Sequence, residues 1–220
     1  MAIIGCARVM TLALSFGEGL TLGTTPTDSL NMRKMKKWLI LILLTLTIQT
    51  QTMANHKLLI PKILKWEGGF VWNKNDKGGA TNSGVTLTTF RAVFGRNKTV
   101  NDLKKMTFEQ WERIFKTRYW DKWRGDSIEN QAIADFLVDW YWNSGVYGIK
   151  YPQQILGVTA DGIVGEKTLK AVNNHPFPEI LFQELWNRRK KQYDNIVKNN
   201  PKQKVFYNGW MNRIQDFKYE

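Results

Sequence analysis

From residue 57 onward apolar positions recur at helical spacing, and alternating strand patterns are scarce. Between Lys57 and Trp66, the residues Leu59, Ile63 and Trp66, flanked by Ile60 and Leu64, share one face. Gly68 and Gly69 then supply a stop, because glycine accepts the left-handed conformation at a helix end. That spacing predicts a helix over 57–66 with Glu67 in its last turn. Thr86 is placed to cap a helix carrying Leu87, Phe90, Val93 and Phe94 as far as Gly95. Thr107 with Gln110 has the form of a capping box, opening a helix with Phe108, Trp111, Ile114, Phe115 and Tyr119. Asp126 or Ser127 is expected to cap a longer helix through Ile128, Ala132, Phe136, Leu137 and Trp140, ending near Gly145. Tyr151-Pro152 reads as the start of a short helix closed by Gly157, since proline suits a first turn.

Glu166 to Val172 reads as another short helix, and the longest is predicted over Glu179 to Lys198, with Leu181, Leu185, Ile196 and Val197 inward. Its basic middle, Arg188 to Lys191, reads as a solvated face. After Pro201, the residues Trp210, Ile214 and Phe217 mark a final helix. One small hairpin within 70–85 is the only β-structure expected, so the predicted fold is mainly α.

Residues 1–31 lack periodicity. Arg33, Lys34, Lys36 and Lys37 then precede the apolar run Trp38 to Ile48, and Thr52-Met53-Ala54 offers small residues around a cut after Ala54. This is the pattern of a secretory signal over 32–54, and the run is short for a membrane span. A start at Met53 and a retained anchor are the alternatives. Use of the signal implies export to the periplasm or beyond the cell. A start at Met53 implies a cytoplasmic protein released later.

The 220 residues suit one domain with a real core and a small appendage, and 43% hydrophobic with 23% charged residues argue against disorder. The net charge is +13. Residues 1–54 hold five of the basic and two of the acidic groups, so 55–220 still carries +10. Such a surface suits a polyanion, whether nucleic acid, anionic lipid or cell-wall polymer, and equally serves solubility. The basic residues are dispersed with no recognised nucleic-acid module, which ranks nucleic acid last. Cys6 is the only cysteine and His56 and His175 the only histidines, so no disulfide framework and no metal site of the usual nitrogen–sulfur type is expected in 55–220. Each of the 10 Trp is more readily core than sugar platform, though indole faces do stack on sugar rings.

The chemistry concentrates between Trp66 and Thr86. A carboxyl in the last turn of a helix lies at the negative end of the dipole, which favours its neutral form, as a general acid requires. Glycoside hydrolysis needs such a proton donor and usually a second carboxylate. Asp76 follows Glu67 after eight intervening residues, and the Thr81 hydroxyl is available to position water. Asp76 and Thr81 serve equally well to tie down the Gly-rich loop through backbone bonds. The reading requires Glu67 to face a groove, neither walled into the interior nor locked to a Lys or Arg.

Glu67-Gly-Gly-Phe70, followed by Asn75-Asp-Lys-Gly-Gly-Ala-Thr-Asn-Ser-Gly-Val-Thr86, resembles the signature of glycoside hydrolase family 108, lysozyme-like muramidases once labelled secretion activators. Leu156-Gly-Val-Thr-Ala-Asp-Gly-Ile-Val-Gly-Glu-Lys-Thr-Leu169 resembles the small peptidoglycan-binding module that follows the catalytic part in that family. The resemblance spans roughly 57–218. It implies a lysozyme-like α+β fold after the leader over 1–54, with a catalytic part over 55–148 and a peptidoglycan-binding helical part over 149–220 packed on it. It implies cleavage between N-acetylmuramic acid and N-acetylglucosamine with Glu67 as the acid and no cofactor. Peptidoglycan glycan strands become the expected partner of a monomer, with peripheral contact with the envelope allowed. In the phage-lysozyme spacing of Glu, eight residues, Asp, five residues, Thr, Asp76 fits, but Thr81 comes one residue early and Asn82 holds its place. Asp139-Trp-Tyr-Trp-Asn-Ser-Gly145 resembles the family's Asp…Asn-x-Gly helix end, placing Asp139, Trp142 and Asn143 either along the cleft or within the helix as internal caps. A non-catalytic peptidoglycan-binding or secretion-assisting protein and a lytic transglycosylase are the alternatives.

Overall fold

The computed structural model describes residues 35–38, 53–72 and 79–219. The chain divides into two units, 1–50 and 51–220. Of the first, residues 35–38 are helical. Most of the expected signal over 32–54 lies outside the described residues, and so does Asp76.

In the second unit, helix α1, His56–Trp66, leads to a two-stranded antiparallel hairpin, β1 Thr81–Asn82 and β2 Val85–Thr86. Then come α2, Leu87–Phe94; α3, Val100–Lys104; α4, Phe108–Phe115; and a π-helical turn, Lys116–Trp120. The remaining helices are α5, Gln131–Ser144; α6, Tyr147–Ile155; α7, Glu166–Asn173; α8, Pro178–Asn199; and α9, Lys204–Gln215. The mainly helical fold with one hairpin agrees with the α+β expectation.

Helix α5 forms the axis of this unit. Every residue from Ile133 to Trp140 is buried, and α1, the π-turn, α6 and α8 all pack on it. A helix buried on all sides needs neighbours all round it, and its two acids, Asp135 and Asp139, need cations from those neighbours. Helix α6 approaches so closely that a Cβ on Gly148 would fall 2.4 Å from the backbone nitrogen of Tyr141. The Trp140 indole donates to Gln192 of α8 at 2.7 Å, and the Trp186 indole to the carbonyl of Ile214 at 3.1 Å, so α8 and α9 are fastened to the same core.

Thr86 and the Thr107–Gln110 box cap α2 and α4 as expected, and Thr99 with Asp102 forms a second box. Three local expectations fail for identifiable reasons. Asn130, not Asp126 or Ser127, caps α5, because Asp126 is held by the Trp120 indole at 2.7 Å and by Lys116. Pro152 lies inside α6, which begins a turn earlier at Tyr147. Gly68 and Gly69 are not left-handed. Helix α1 ends at Glu67, whose own backbone turns extended at φ −93° and ψ 135°.

Candidate active site

The position of Glu67 follows from that exit. One residue beyond α1, its side chain meets the hairpin turn on one side and α5 on the other. The hairpin pairs Thr81 with Thr86 and Asn82 with Val85, leaving Ser83 and Gly84 as a two-residue loop with φ of 46° and 75°. Positive φ at both central residues is the turn that matches strand twist. Gly84 is required twice over, because a Cβ there would lie 2.5 Å from Glu67 Oε2 and 2.5 Å from the Trp142 ring. The Trp111 indole fixes the turn by donating to the Ser83 carbonyl at 2.9 Å.

Glu67 Oε1 accepts two hydrogen bonds, from the Trp142 indole N–H at 2.7 Å and from Arg213 Nη1 at 2.9 Å. Among the described residues Oε2 accepts none and packs against Gly84. The Glu67 side chain keeps 14% exposure, so it is partly open to solvent and not walled into the core. Trp142 forms the wall, with Trp111 and Phe115 rings at 5.8 Å and Tyr119 at 4.4 Å. Burial raises the Tyr119 hydroxyl above its usual value despite a bond from Thr89 that pulls it down.

The requirement of a Glu67 free of any Lys or Arg is not met. Arg213, on α9, is its ion-pair partner. That guanidinium also donates from Nε at 2.9 Å and Nη2 at 2.7 Å to Asp139 Oδ1. Burial works against its charge, but Asp139 and Glu67 outweigh burial and hold Arg213 above its ordinary value. Asp139 Oδ2 in turn lies 2.7 Å from Arg189 Nη2, with both side chains fully buried. The angle there is poor for a hydrogen bond, so that contact is a charge pairing. Arg189 Nε donates to the Tyr193 hydroxyl at 2.9 Å.

The residues singled out from the sequence therefore separate. Glu67 and Trp142 come together. Asp139 lies behind them, in the ion network and not on the cleft surface. Asn143 is exposed and donates to the Asp139 carbonyl at 2.9 Å, one of the two roles the helix-end pattern allowed. Asn82 donates to the carbonyls of Leu103 and Lys104, holding the end of α3. Thr81 is tied by its backbone to Val71 on both sides. No cluster of three or more metal-ligating side chains occurs among the described residues.

Arg189, expected on a solvated basic face, is fully buried instead, and Arg213 was not singled out at all. The available signal was position. Arg189 falls four residues after Leu185 and four before Tyr193, on the buried stripe of α8, and Arg213 directly precedes the buried Ile214.

A carboxyl at a helix exit, roofed by a hairpin and walled by aromatics in a helical fold, suits a lysozyme-like glycoside hydrolase. Comparison with known proteins agrees. Glycosyl hydrolase 108 matches residues 60–145, and a predicted peptidoglycan domain matches 147–215. The solved structure of Brucella abortus SagA is 30% identical, with a TM-score of 0.62, over 73% of this chain and 90% of that one. The chain belongs to the glycosyl hydrolase 108 family and pairs a glycoside hydrolase segment with a peptidoglycan-binding one. No curated protein matches it.

Proposed function

We propose that the chain hydrolyses the β-glycosidic bond between N-acetylmuramic acid and N-acetylglucosamine, with Glu67 donating the proton from Oε2. The observation that carries this reading is the unequal treatment of the two oxygens. Both donors, the Trp142 indole and Arg213, converge on Oε1, and Oε2 is left without a hydrogen bond among the described residues, beside Gly84. A protonated carboxyl has one carbonyl oxygen that accepts and one hydroxyl that donates. The two donors suit Oε1 as the carbonyl, which leaves the hydroxyl proton on Oε2, facing a leaving oxygen. Arg213 does not preclude this, because an N–H also donates to a carbonyl oxygen, and Asp139 lies on the other side of the same guanidinium.

Asp76 is the second carboxylate of the proposal, activating water or steadying the sugar cation. Residues 55–148 form the catalytic part and 149–220 the wall-binding part of a monomer exported through the signal at 32–54. Asn143 and the exposed edge of Trp142 border the glycan.

Mass spectrometry of muropeptides released from purified peptidoglycan tests the reading. The parent should yield N-acetylmuramic acid reducing ends, and a folded Glu67→Gln variant should yield none. Release by Glu67→Gln at the parental rate would overturn it. Anhydro products would convert it to a transglycosylase, and wall binding without any release would leave only a binding protein.

A further inference from the structure

Glu67 and the three charges behind it alternate in sign along the network Glu67, Arg213, Asp139, Arg189. They also alternate in origin. Both carboxylates belong to the glycosyl hydrolase segment, 60–145, and both guanidiniums to the peptidoglycan segment, 147–215. Arg213 is the hinge of the chain. Two of its N–H groups are fixed on Asp139 Oδ1, which sets the plane of the guanidinium and leaves Nη1 aimed at Glu67 Oε1, 2.9 Å away. The Trp142 indole reaches the same oxygen at 2.7 Å from the side of α5. A carboxyl held by two donors on one oxygen cannot swing without losing both bonds.

We propose that Arg213 is a positioning residue for Glu67, so that the peptidoglycan-binding segment completes the active site and is not merely a tether to the wall. This rests on Glu67 being the proton donor. Arg213 touches no reacting atom. It acts by holding Oε1 so that Oε2 meets the glycosidic oxygen at bonding distance, and its fork is what permits the task. A lysine ammonium is one point charge and cannot fill the planar arrangement that reaches Asp139 twice and Glu67 once.

The test measures kcat and KM on solubilised, uncross-linked glycan strands for the full chain and for Arg213→Lys, with Glu67→Gln as control. Circular dichroism reports folding, and a pull-down with purified sacculi reports wall binding. Arg213→Lys should fold, since Asp139 keeps a cation. Its kcat should fall about 10- to 100-fold, the scale of a misaimed group, with KM within about twofold and wall binding unchanged. A folded Arg213→Lys with parental kcat overturns the proposal. A rise in KM matched by loss of wall binding also overturns it, assigning Arg213 to binding, and failure of the lysine variant to fold assigns it to the fold alone. Glu67→Gln separates the two claims. Its inactivity alongside an unaffected Arg213→Lys removes only this inference, whereas an active Glu67→Gln removes the proton-donor reading itself.

Discussion

The segments 60–145 and 147–215 contribute to one site in opposite ways. The first presents carboxylates and an aromatic wall: Glu67 and Asp139 with Trp111 and Trp142. The second, from helices that look like surface, sends two arginines inward, Arg189 with no exposure and Arg213 with 8%. The carboxylates and aromatic rings of the site thus come from one segment, and the cations that pair with those carboxylates from the other. A buried carboxylate is costly without its cation, and the cation equally so without its carboxylate. The two segments are therefore joined by more than hydrophobic contact.

Three substitutions break or sharpen that contrast. Asp139→Ala strikes the junction and should do most damage, because it strands the fully buried Arg189 and leaves Arg213 with Glu67 alone. The expected loss is about 3–5 kcal/mol, with the thermal midpoint falling by about 10 °C or more. A midpoint within about 2 °C of the parent would mean that the segments do not depend on each other's charges. Gly84→Ala strikes the catalytic segment alone. A Cβ there carries the strain of φ 75° and meets both Glu67 and Trp142. Scanning calorimetry should show a smaller loss, about 1–3 kcal/mol, while lysis falls about 100-fold or more as Glu67 is displaced. Parental lysis would show that the turn does not set the acid.

The smallest effect separates two acids one turn apart on α5. Asp139 meets two arginines, whereas Asp135, equally buried, meets Lys62 at 2.9 Å and Gln131 at 2.6 Å. Burial raises the Asp135 carboxyl above its ordinary value, and Lys62 and Gln131 only partly offset that. An acid with a raised folded value favours folding at low pH and opposes it as pH climbs through that value. Asp135→Asn should therefore gain stability relative to the parent between acid and neutral pH, read from paired thermal midpoints. A difference that stays constant, or shifts toward the parent, would contradict the burial argument.

The same contrast governs what could be read from the chain beforehand. Helix α1, the hairpin and the capped starts of α2 and α4 are written in local signals: apolar spacing, a Ser-Gly pair, and Thr with a partner three residues on. Glu67 stood out because it ends a helical run before two glycines. Glu67 turns out to cap the helix from just beyond its last turn, and a cation from 146 residues downstream arrives beside it. No local pattern announces that arrival. Arg189 and Arg213 sit among basic residues whose composition suggests solvent, and only their register on a buried stripe says otherwise. Asn82 and Asp139 show the converse. Both carry residue types suited to binding sugar, yet their partners, the end of α3 and the two arginines, become visible only when distant segments pack.

The central claim concerns which oxygen of Glu67 faces the sugar. A crystal structure of Glu67→Gln with a bound glycan strand tests it most directly. The account predicts that the side-chain oxygen keeps its bonds to Trp142 and Arg213, with the amide nitrogen about 3 Å from the glycosidic oxygen. A strand seated elsewhere, or a glycosidic oxygen contacting the oxygen that Trp142 and Arg213 hold, would contradict it.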